Sequence, residues 1–228
     1  MANNKKTKKT QFAVLGLGRF GAQIAQSLYA NGGEVLAVDI SEEKTAAVAE
    51  FATHVVTADV SDEAVLKQLE IADFDTVIVA IGENVQTSII CSFICKELGC
   101  KHIVAKARDP RHANILQKIG VDEIIIPEAD SAKKAAAKLL NPNIHDLMEL
   151  ADGYSVAEFN IPDSWAGKSL KDLMLPSRFG VNVLIIINPS NKVLTISGET
   201  VLSQNDKIVV GGTTEDIGQL SDEITKLA

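Results

Sequence analysis

The sequence has no apolar run long enough to cross a membrane. Of its 228 residues 46% are hydrophobic, but they occur in short stretches, and VLIIIN at positions 183–188 is among the longest. A transmembrane helix needs about 20 predominantly apolar residues. The apolar segment after the N-terminal lysines is short, interrupted by glycines and followed by Arg19, so it does not fit a secretory leader. We therefore expect a cytoplasmic protein that does not insert into the bilayer.

Positive charge is in the minority. Lysine and arginine together number 22 against 30 acidic residues, so the formal net charge is −8. This balance argues against nucleic acid or an anionic lipid surface as the main partner. Basic residues cluster once, in NNKKTKKT at positions 3–10, and we predict that residues 1–10 form a flexible basic leader.

Cysteine is scarce as well. Cys91, Cys95 and Cys100 are the three cysteines, and the first two share one face of a predicted apolar helix. A zinc site would need further cysteine or histidine ligands at turn-like spacing, and His102 alone stands nearby. We therefore expect three buried free thiols.

The sequence also lacks the proton-transfer groups typical of nicotinamide-dependent enzymes. Of the two tyrosines, Tyr29 lies on the predicted first helix, and Tyr154 is followed four residues later by Glu158. The Tyr-xxx-Lys pair of short-chain reductases is therefore absent. The four histidines are predicted to have structural roles at strand starts (His54, His102) or solvated or interfacial roles on helices (His112, His145).

Binding without turnover fits this inventory better than catalysis. The region after the first domain offers no cluster of acids, bases or metal ligands. A small NAD(P)-dependent oxidoreductase remains the alternative. A third hypothesis is a transcription regulator that senses NADH, but the sequence has no helix-turn-helix pattern and no basic face.

A glycine-rich turn stands out among the features that are present. Gly16, Gly18 and Gly21 in QFAVLGLGRFG have the GxGxxG spacing between an apolar run and a helical pattern. In dinucleotide-binding folds the first glycine permits a sharp turn, the second leaves room for a pyrophosphate, and the third allows close helix packing. EVLAVD then ends in Asp39, at the spacing where a carboxylate meets a ribose diol. The combination predicts a nucleotide site at this turn.

Strand-like runs alternate with helical patterns from Phe12 to about Pro127, a rhythm typical of a parallel sheet covered on both faces. The predicted strands are FAVLG, EVLAVD, HVVTAD, TVIVAIG, HIVAKA and EIIIP. The predicted helices lie near Gly18–Asn31, Glu42–Phe51, Asp62–Leu69, Asn84–Leu98 and Pro110–Lys118. We predict an α/β protein in which residues 11–129 form a Rossmann-like doubly wound sheet.

The pattern changes after this domain. Residues 130–151 are predicted as connecting helices, an alanine-rich one to Leu140 and a short one after NPN. Residues 152–228 alternate or run apolar in YSVAEFNI, GVNVLIIIN, KVLTIS and DKIVVGG, with helices at Lys168–Leu175 and Thr213–Leu227. They predict a small α+β domain in which NPSNK forms a hairpin turn.

Charged and polar residues follow the predicted strands at the edge where open parallel sheets bind ligands. Asp39 and Asp59 end the second and third strands, and Ala80–Gly82 end the fourth. Lys106 ends the fifth, and Glu128 follows the sixth. Arg19 lies inside the glycine turn and adds more positive charge than a diphosphate requires.

Together QFAVLGLGRFG, EVLAVDI, VIVAIG, KIGVDEIIIPEAD and the β-rich tail resemble a known family. The chain is similar to the RCK-domain regulators of potassium transport, in particular to KtrA-type cytosolic subunits of Ktr uptake systems, with a relation to TrkA. The resemblance runs from about Gln11 to the C terminus. It implies a non-enzymatic regulatory subunit at the inner face of the membrane, whose dimers assemble into a homo-octameric ring beneath a transporter of the KtrB or TrkH type.

The resemblance also implies ligands and their residues. The Rossmann domain is expected to bind ATP or ADP, and NAD(H) in some relatives, with ATP activating. The implied nucleotide contacts are Gly16, Leu17, Gly18, Arg19, Phe20, Gly21, Asp39, Ile40, Asp59, Val60, Ala80, Ile81, Gly82 and Lys106. Among them, Arg19 matches an arginine that reaches a γ-phosphate, including that of a neighbouring subunit. Glu128 matches an acid that helps to hold Mg or another cation between two ATP molecules.

The C-terminal domain of several relatives binds cyclic di-AMP at a dimer interface, which stops uptake. Pro176 stands where such relatives have an arginine, and Arg178 follows two residues later. The resemblance makes Arg178 the candidate contact for cyclic di-AMP in this chain.

Overall fold

The computed structural model describes residues 9–140 and 143–227. The chain divides into two compact units between Glu128 and Ala129. The basic residues Lys5, Lys6 and Lys8 of the predicted leader lie outside the described residues. Within the described ranges, no helix combines the length and the apolar character that a membrane span requires.

The first unit is a parallel sheet of six strands with helices in the connections. Its strands are β1 (Gln11–Leu15), β2 (Glu34–Asp39), β3 (His54–Thr57), β4 (Thr76–Val79), β5 (Ile103–Lys106) and β6 (Glu123–Ile125). Its helices are α1 (Arg19–Ala30), α2 (Glu42–Val48), α3 (Glu63–Gln68), α4 (Val85–Glu97) and α5 (Pro110–Ile119). The spatial order β3-β2-β1-β4-β5-β6 is that of the Rossmann fold. The predicted fold class and the six predicted strands are confirmed.

Both faces of the sheet are buried at its central strands, which explains why β1, β2, β4 and β5 are largely apolar rather than alternating. Successive residues of β1 point to opposite faces, so Ala13 and Leu15 join one core cluster and Val14 joins the other. The carboxyl ends of β1 and β4 lie side by side, with Leu15 opposite Val79. The loops after these two strands therefore meet at one edge of the sheet.

The second unit is built on an antiparallel sheet of five strands in the order β10-β9-β11-β8-β7. Its strands are β7 (Ile144–Ala151), β8 (Tyr154–Asn160), β9 (Asn182–Ile187), β10 (Val193–Leu194) and β11 (Lys207–Thr213). Its helices are α7 (Leu170–Leu173), α8 (Leu175–Phe179) and α9 (Thr214–Leu227), and α6 (Pro127–Leu140) runs across the division. Trp165, Phe159 and Leu220 lie in its core. This is the predicted α+β architecture, and NPSNK closes the β9–β10 hairpin as predicted.

One predicted element is wrong. Residues Ile144–Ala151 form strand β7 rather than a second short connecting helix, and they pair antiparallel with β8. Ile144, Leu147 and Met148 have helical spacing, but Asp152 and Gly153 form a two-residue hairpin loop between the strands, with Gly153 at φ 74°. An Asp-Gly pair is a strong hairpin signal, and long-range strand pairing outweighs local helical spacing. His145 therefore lies in a strand, and its side chain is outside the described residues.

Two further predictions concern buried groups. Cys91, Cys95 and Cys100 are buried free thiols, as predicted. Hydrogen bonding with Cys95 and burial raise the pKa of the Cys100 thiol well above its ordinary value. The solvated or interfacial role predicted for His112 is wrong, because this ring is 2% exposed. Its Nδ1 accepts a hydrogen bond from the Arg108 amide at 3.1 Å, which folds the ring against the start of α5.

Candidate functional site

The glycine-rich loop packs directly against the end of β4. Gly16 has φ +96°, and a Cβ there would lie 2.8 Å from Cγ1 of Ile81 and 3.3 Å from the carbonyl carbon of Ala80. The Gly16 amide donates to the Val38 carbonyl at 2.8 Å, which fixes the turn against β2. A side chain at position 16 is therefore excluded both by backbone conformation and by space.

The other two glycines of the motif differ from each other. A Cβ at Gly21 would overlap the carbonyl oxygen of Gly16 and would lie 3.0 Å from Cβ of Ala80, so Gly21 permits the close approach of α1 to the loop. A Cβ at Gly18 would meet no heavy atom of residues 9–140 and 143–227 within 4 Å. The space in front of Gly18 is thus open, as the pyrophosphate position of a dinucleotide fold requires.

The N terminus of α1 differs from those of the four helices that follow it. Side chains cap α2, α3, α4 and α5, namely Ser41, Asp62, Asn84 and Asp109. Gly18 is the N-cap of α1, and no side chain of the described residues caps this helix. The first turn also contains no acidic residue. Amides at such a helix start are available to an anion, which the helix dipole also favours.

Asp39 lies at the end of β2, and its carboxylate is held by the adjoining loops. One oxygen accepts from the Leu17 amide at 2.7 Å, and the other accepts from the Ser41 amide at 2.9 Å. The ammonium of Lys44 is 3.8 Å from the first of these oxygens. The neighbouring Ile40 is 69% exposed. The carboxylate thus adjoins the glycine-rich loop, where the sequence predicts a ribose.

Asp59 follows β3 and is exposed. Its Oδ1 accepts from both the hydroxyl and the amide of Ser61, at 2.7 and 2.9 Å. These bonds lower the pKa of the Asp59 carboxyl below its ordinary value, so it is ionised at neutral pH. The next residue, Val60, is 6% exposed and belongs to the core, so its side chain is turned away from solvent.

Lys106 and Glu128 form the charged part of the site. The Lys106 ammonium donates to Glu128 Oε1 at 2.8 Å, and it lies 5.8 Å from the centre of the Phe20 ring on α1. The stem of the lysine crosses Gly82, where a Cβ would lie 3.2 Å from Cε. The hydrogen bond from Lys106 is the main cause that lowers the pKa of Glu128, and the positive charge of Arg19 adds to it.

The structure therefore brings most of the predicted residues to one edge of the sheet. The loop after β1, residues Ala80–Gly82 after β4, Lys106 at the end of β5 and Glu128 on α6 are linked by the contacts given above. Asp39 joins them through Leu17. Asp59 does not join them through any of these contacts, since its bonds are with Ser61.

Two relationships escape sequence reasoning. The ion pair between Lys106 and Glu128 joins residues 22 apart in the chain. The resemblance implies a separate ligand contact for each of them, a nucleotide for Lys106 and a cation for Glu128. The bond between Asp39 and the Leu17 amide gives the acid a structural contact in addition to the predicted ribose contact. The convergence of strand ends at one edge was the available signal for the first relationship, and no sequence pattern signals the second.

In the second unit, Arg178 on α8 is already engaged. One guanidinium nitrogen lies 3.2 Å from Oε1 of Glu223 on α9, and another donates to the Leu173 carbonyl at 3.4 Å. The guanidinium carbon is 4.8 Å from the centre of the Phe179 ring. Pro176 occupies the first turn of α8. An anionic ligand at Arg178 would have to compete with Glu223.

Comparison with known proteins places this architecture in a family. Residues 12–127 match the TrkA-N domain and residues 156–225 match the TrkA-C domain. The chain is 40% identical to Ktr system potassium uptake protein C of Bacillus subtilis over 216 residues, which cover 95% of this chain and 98% of that protein. The chain belongs to the TrkA/Ktr family of potassium uptake proteins. This family membership confirms the resemblance in the sequence.

Further relatives of the TrkA/Ktr family agree. The chain is 39% identical to Ktr system potassium uptake protein A of Bacillus subtilis over 96% of its length, covering 98% of that protein. It is 37% identical to the Vibrio alginolyticus protein A over 93% of its length, covering 96% of that protein. Because these relatives are potassium uptake proteins rather than enzymes, the non-enzymatic prediction is confirmed.

Solved structures support the fold. The GsuK RCK domain matches with a TM-score of 0.64 and 17% identity, covering 96% of this chain and 48% of that one. The GsuK channel bound to NAD matches with a TM-score of 0.63 and 18% identity, covering 96% of this chain and 40% of that one. This chain thus spans about half the length, or less, of these two GsuK chains. The first unit is a nucleotide-binding Rossmann domain of the TrkA-N type.

Proposed function

We propose that this protein is a cytoplasmic, nucleotide-sensing regulatory subunit of a potassium uptake transporter, activated by ATP and deactivated by ADP. Membership in the TrkA/Ktr family supports the regulatory assignment, since the relatives aligned over nearly the whole chain are Ktr system potassium uptake proteins. The proposed partner is a membrane transporter subunit of the KtrB or TrkH type, which holds the protein at the inner face of the membrane.

One observation carries the nucleotide assignment. Gly18 is the N-cap of α1, no side chain in the described part of the chain caps this helix, and the space in front of Gly18 is open there. Arg19 and Lys106 supply positive charge beside the same helix start, and the Lys106 ammonium is 5.8 Å from the Phe20 ring. Helix amides and two cations are the groups that bind a phosphate chain.

The remaining predicted contacts complete the proposed nucleotide. Asp39 is assigned to the ribose hydroxyls, where its charge would also disfavour a 2′-phosphate. Asp59 is assigned to the adenine amino group, and residues Ala80–Gly82 to the sugar and phosphates. NAD(H) is the competing ligand for the same loop, since the GsuK channel, a structural neighbour, is described as bound to NAD.

The proposed switch depends on the γ-phosphate. In this proposal Arg19 contacts the γ-phosphate of its own or a neighbouring subunit, and Glu128 helps to hold Mg or another cation between two ATP molecules. ADP lacks that phosphate, so ATP and ADP make different contacts. A ligand shifts a conformational equilibrium only through such a difference in affinity. Homodimers that assemble into a homo-octameric ring would transmit the change to the transporter.

Ion uptake into vesicles tests this function. The transporter subunit is reconstituted in liposomes, the purified protein is added, and uptake of rubidium as a potassium substitute is followed with ATP or ADP. The proposal expects faster uptake with ATP than with ADP, and no nucleotide effect without the added protein. Equal uptake with both nucleotides would contradict it.

Cyclic di-AMP is proposed as a second ligand, bound at Arg178 in the C-terminal unit. The exposed guanidinium, stacked near Phe179, is the group that supports this assignment. Titration calorimetry of the full chain with cyclic di-AMP tests it, with Arg178→Ala as the comparison. Heat from the wild-type chain that is lost in the variant is expected, and no heat from the wild-type chain removes the assignment.

A further inference from the structure

In the first unit an acid lies beside the helix start that is proposed to bind a phosphate. Glu128 lies on the first turn of α6, and its carboxylate is 2.8 Å from the Lys106 ammonium. The charge of Arg19 also acts on this carboxylate. An acid at this place would repel a phosphate that approaches the uncapped α1. The pairing with Lys106 therefore needs an explanation beyond charge balance at the surface.

The geometry fixes the lysine more firmly than the acid. The Lys106 side chain is 14% exposed, whereas that of Glu128 is 63% exposed. A Cβ at Gly82 would lie 3.1, 3.2 and 3.4 Å from Nζ, Cε and Cδ of Lys106. The absence of a side chain at Gly82 therefore leaves room for the lysine side chain to reach the site. The ammonium is thus held between β4, α1 and α6, and the exposed carboxylate is the partner that can leave.

We infer that Glu128 is an internal substitute for the ligand's phosphate, paired with Lys106 until an incoming nucleotide takes the ammonium. This inference rests on the proposed function, because it assumes that a nucleotide phosphate reaches Lys106. An ion pair with so exposed a partner is weak. A phosphate chain that also gains the α1 amides displaces it.

A double-mutant cycle on ADP affinity tests the exchange. Affinities are measured by titration calorimetry in buffer with EDTA for the wild-type chain, Glu128→Gln, Lys106→Gln and the double variant. Glu123→Gln serves as the charge-matched control, because Glu123 begins β6 and lies at the opposite end of that strand. We expect the gain in ADP affinity caused by Glu128→Gln to be about three- to fivefold larger when Lys106 is present than in the Lys106→Gln variant. Glu123→Gln leaves the affinity unchanged.

The same gain in both backgrounds would overturn the inference, because it would show simple repulsion between Glu128 and the ligand. If Lys106→Gln binds ADP too weakly to measure, carbon-13 NMR of the side-chain carboxyls of the wild-type protein provides the test. When the wild-type protein is saturated with ADP, we expect the Glu128 Cδ resonance to move to the position that it has in the nucleotide-free Lys106→Gln variant. A resonance that does not move overturns the inference. A wild-type chain that binds no ADP would instead contradict the proposed function.

Discussion

The Leu17 amide donates a 2.7 Å hydrogen bond to the Asp39 carboxylate, so the glycine-rich loop is bonded directly to the end of β2. Leu17 is 3% exposed and Asp39 is 7% exposed. Water therefore has little access to this amide. The acid that is proposed to contact the ribose also satisfies a buried donor of the loop that is proposed to contact the phosphates.

Replacement of Asp39 should therefore cost stability as well as nucleotide affinity. We expect Asp39→Ala to lower the free energy of unfolding by about 1–3 kcal/mol, because the buried Leu17 amide loses its acceptor. Asp39→Asn keeps an acceptor oxygen and should cost less. Urea unfolding followed by circular dichroism measures both. Asp59→Ala is the control, since its bonds are with Ser61 at the surface, and a loss as large as that of Asp39→Ala would contradict this explanation.

Two helical glycines should respond in opposite directions to alanine. A Cβ at Gly21 on α1 would overlap the carbonyl oxygen of Gly16, whereas a Cβ at Gly218 on α9 would meet no atom in the part of the chain that the structure describes within 4 Å. We expect Gly21→Ala to destabilise the protein by about 1–3 kcal/mol or more through overpacking against backbone. Gly218→Ala should stabilise it by up to about 1 kcal/mol through helix propensity. Thermal unfolding compares them, and equal shifts in Tm would be inconsistent with the packing described here.

Arg19 should affect discrimination between nucleotides more than affinity for nucleotides in general. The proposed contact is with the γ-phosphate, which ADP lacks. We expect Arg19→Ala to reduce the ratio of ATP to ADP affinity about tenfold, equivalent to about 1.4 kcal/mol. The exposed Arg111 on α5 provides a charge-matched control, Arg111→Ala, which should leave the ratio unchanged. If Arg19→Ala weakens both nucleotides by the same factor, Arg19 has no part in the switch.

The buried His112 ring predicts a pH dependence of stability. Burial lowers the pKa of His112 below its ordinary value of 6.5, against a smaller opposing effect of Asp109. As the pH falls through about 6.5, the unfolded chain gains a proton that the folded chain does not, so stability falls until the lower folded-state pKa is reached. We expect the loss of unfolding free energy between pH 7.5 and 5.5 to be smaller in His112→Asn than in the wild-type chain. The exposed His54 supplies the control, and a loss unaltered in His112→Asn would rule out this histidine as its source.

The sequence predicts the first unit well because its signals are local and agree with one another. Apolar runs mark the strands, and the GxGxxG spacing marks the turn between the first strand and the first helix. At β7 the local helical spacing around Leu147 conflicts with the hairpin signal of Asp152 and Gly153, and the pairing with β8 prevails. The burial of His112 depends on how α5 packs, which local spacing does not contain.

The site is predictable as a set of strand ends but not as a network of contacts. That Lys106 and Glu128 both follow neighbouring strands is visible in the sequence, since parallel strands end at one edge. Their pairing depends on side-chain directions and on the path that Gly82 leaves for the lysine. The hydrogen bond from the Leu17 amide to Asp39 is likewise not predictable from the sequence, because it requires the loop conformation that Gly16 adopts at φ +96°.

Nucleotide titration of the wild-type chain and Gly18→Ala tests the central claim most directly. A Cβ at Gly18 meets no atom of the described residues within 4 Å, so the variant should fold normally while the new methyl group enters the proposed phosphate position. The account predicts that calorimetry detects ATP and ADP binding to the wild-type chain, that chromatography recovers both nucleotides unchanged, and that Gly18→Ala binds at least about tenfold more weakly. It would be contradicted by a wild-type chain that gives no heat with either nucleotide, or by equal affinities in the two proteins.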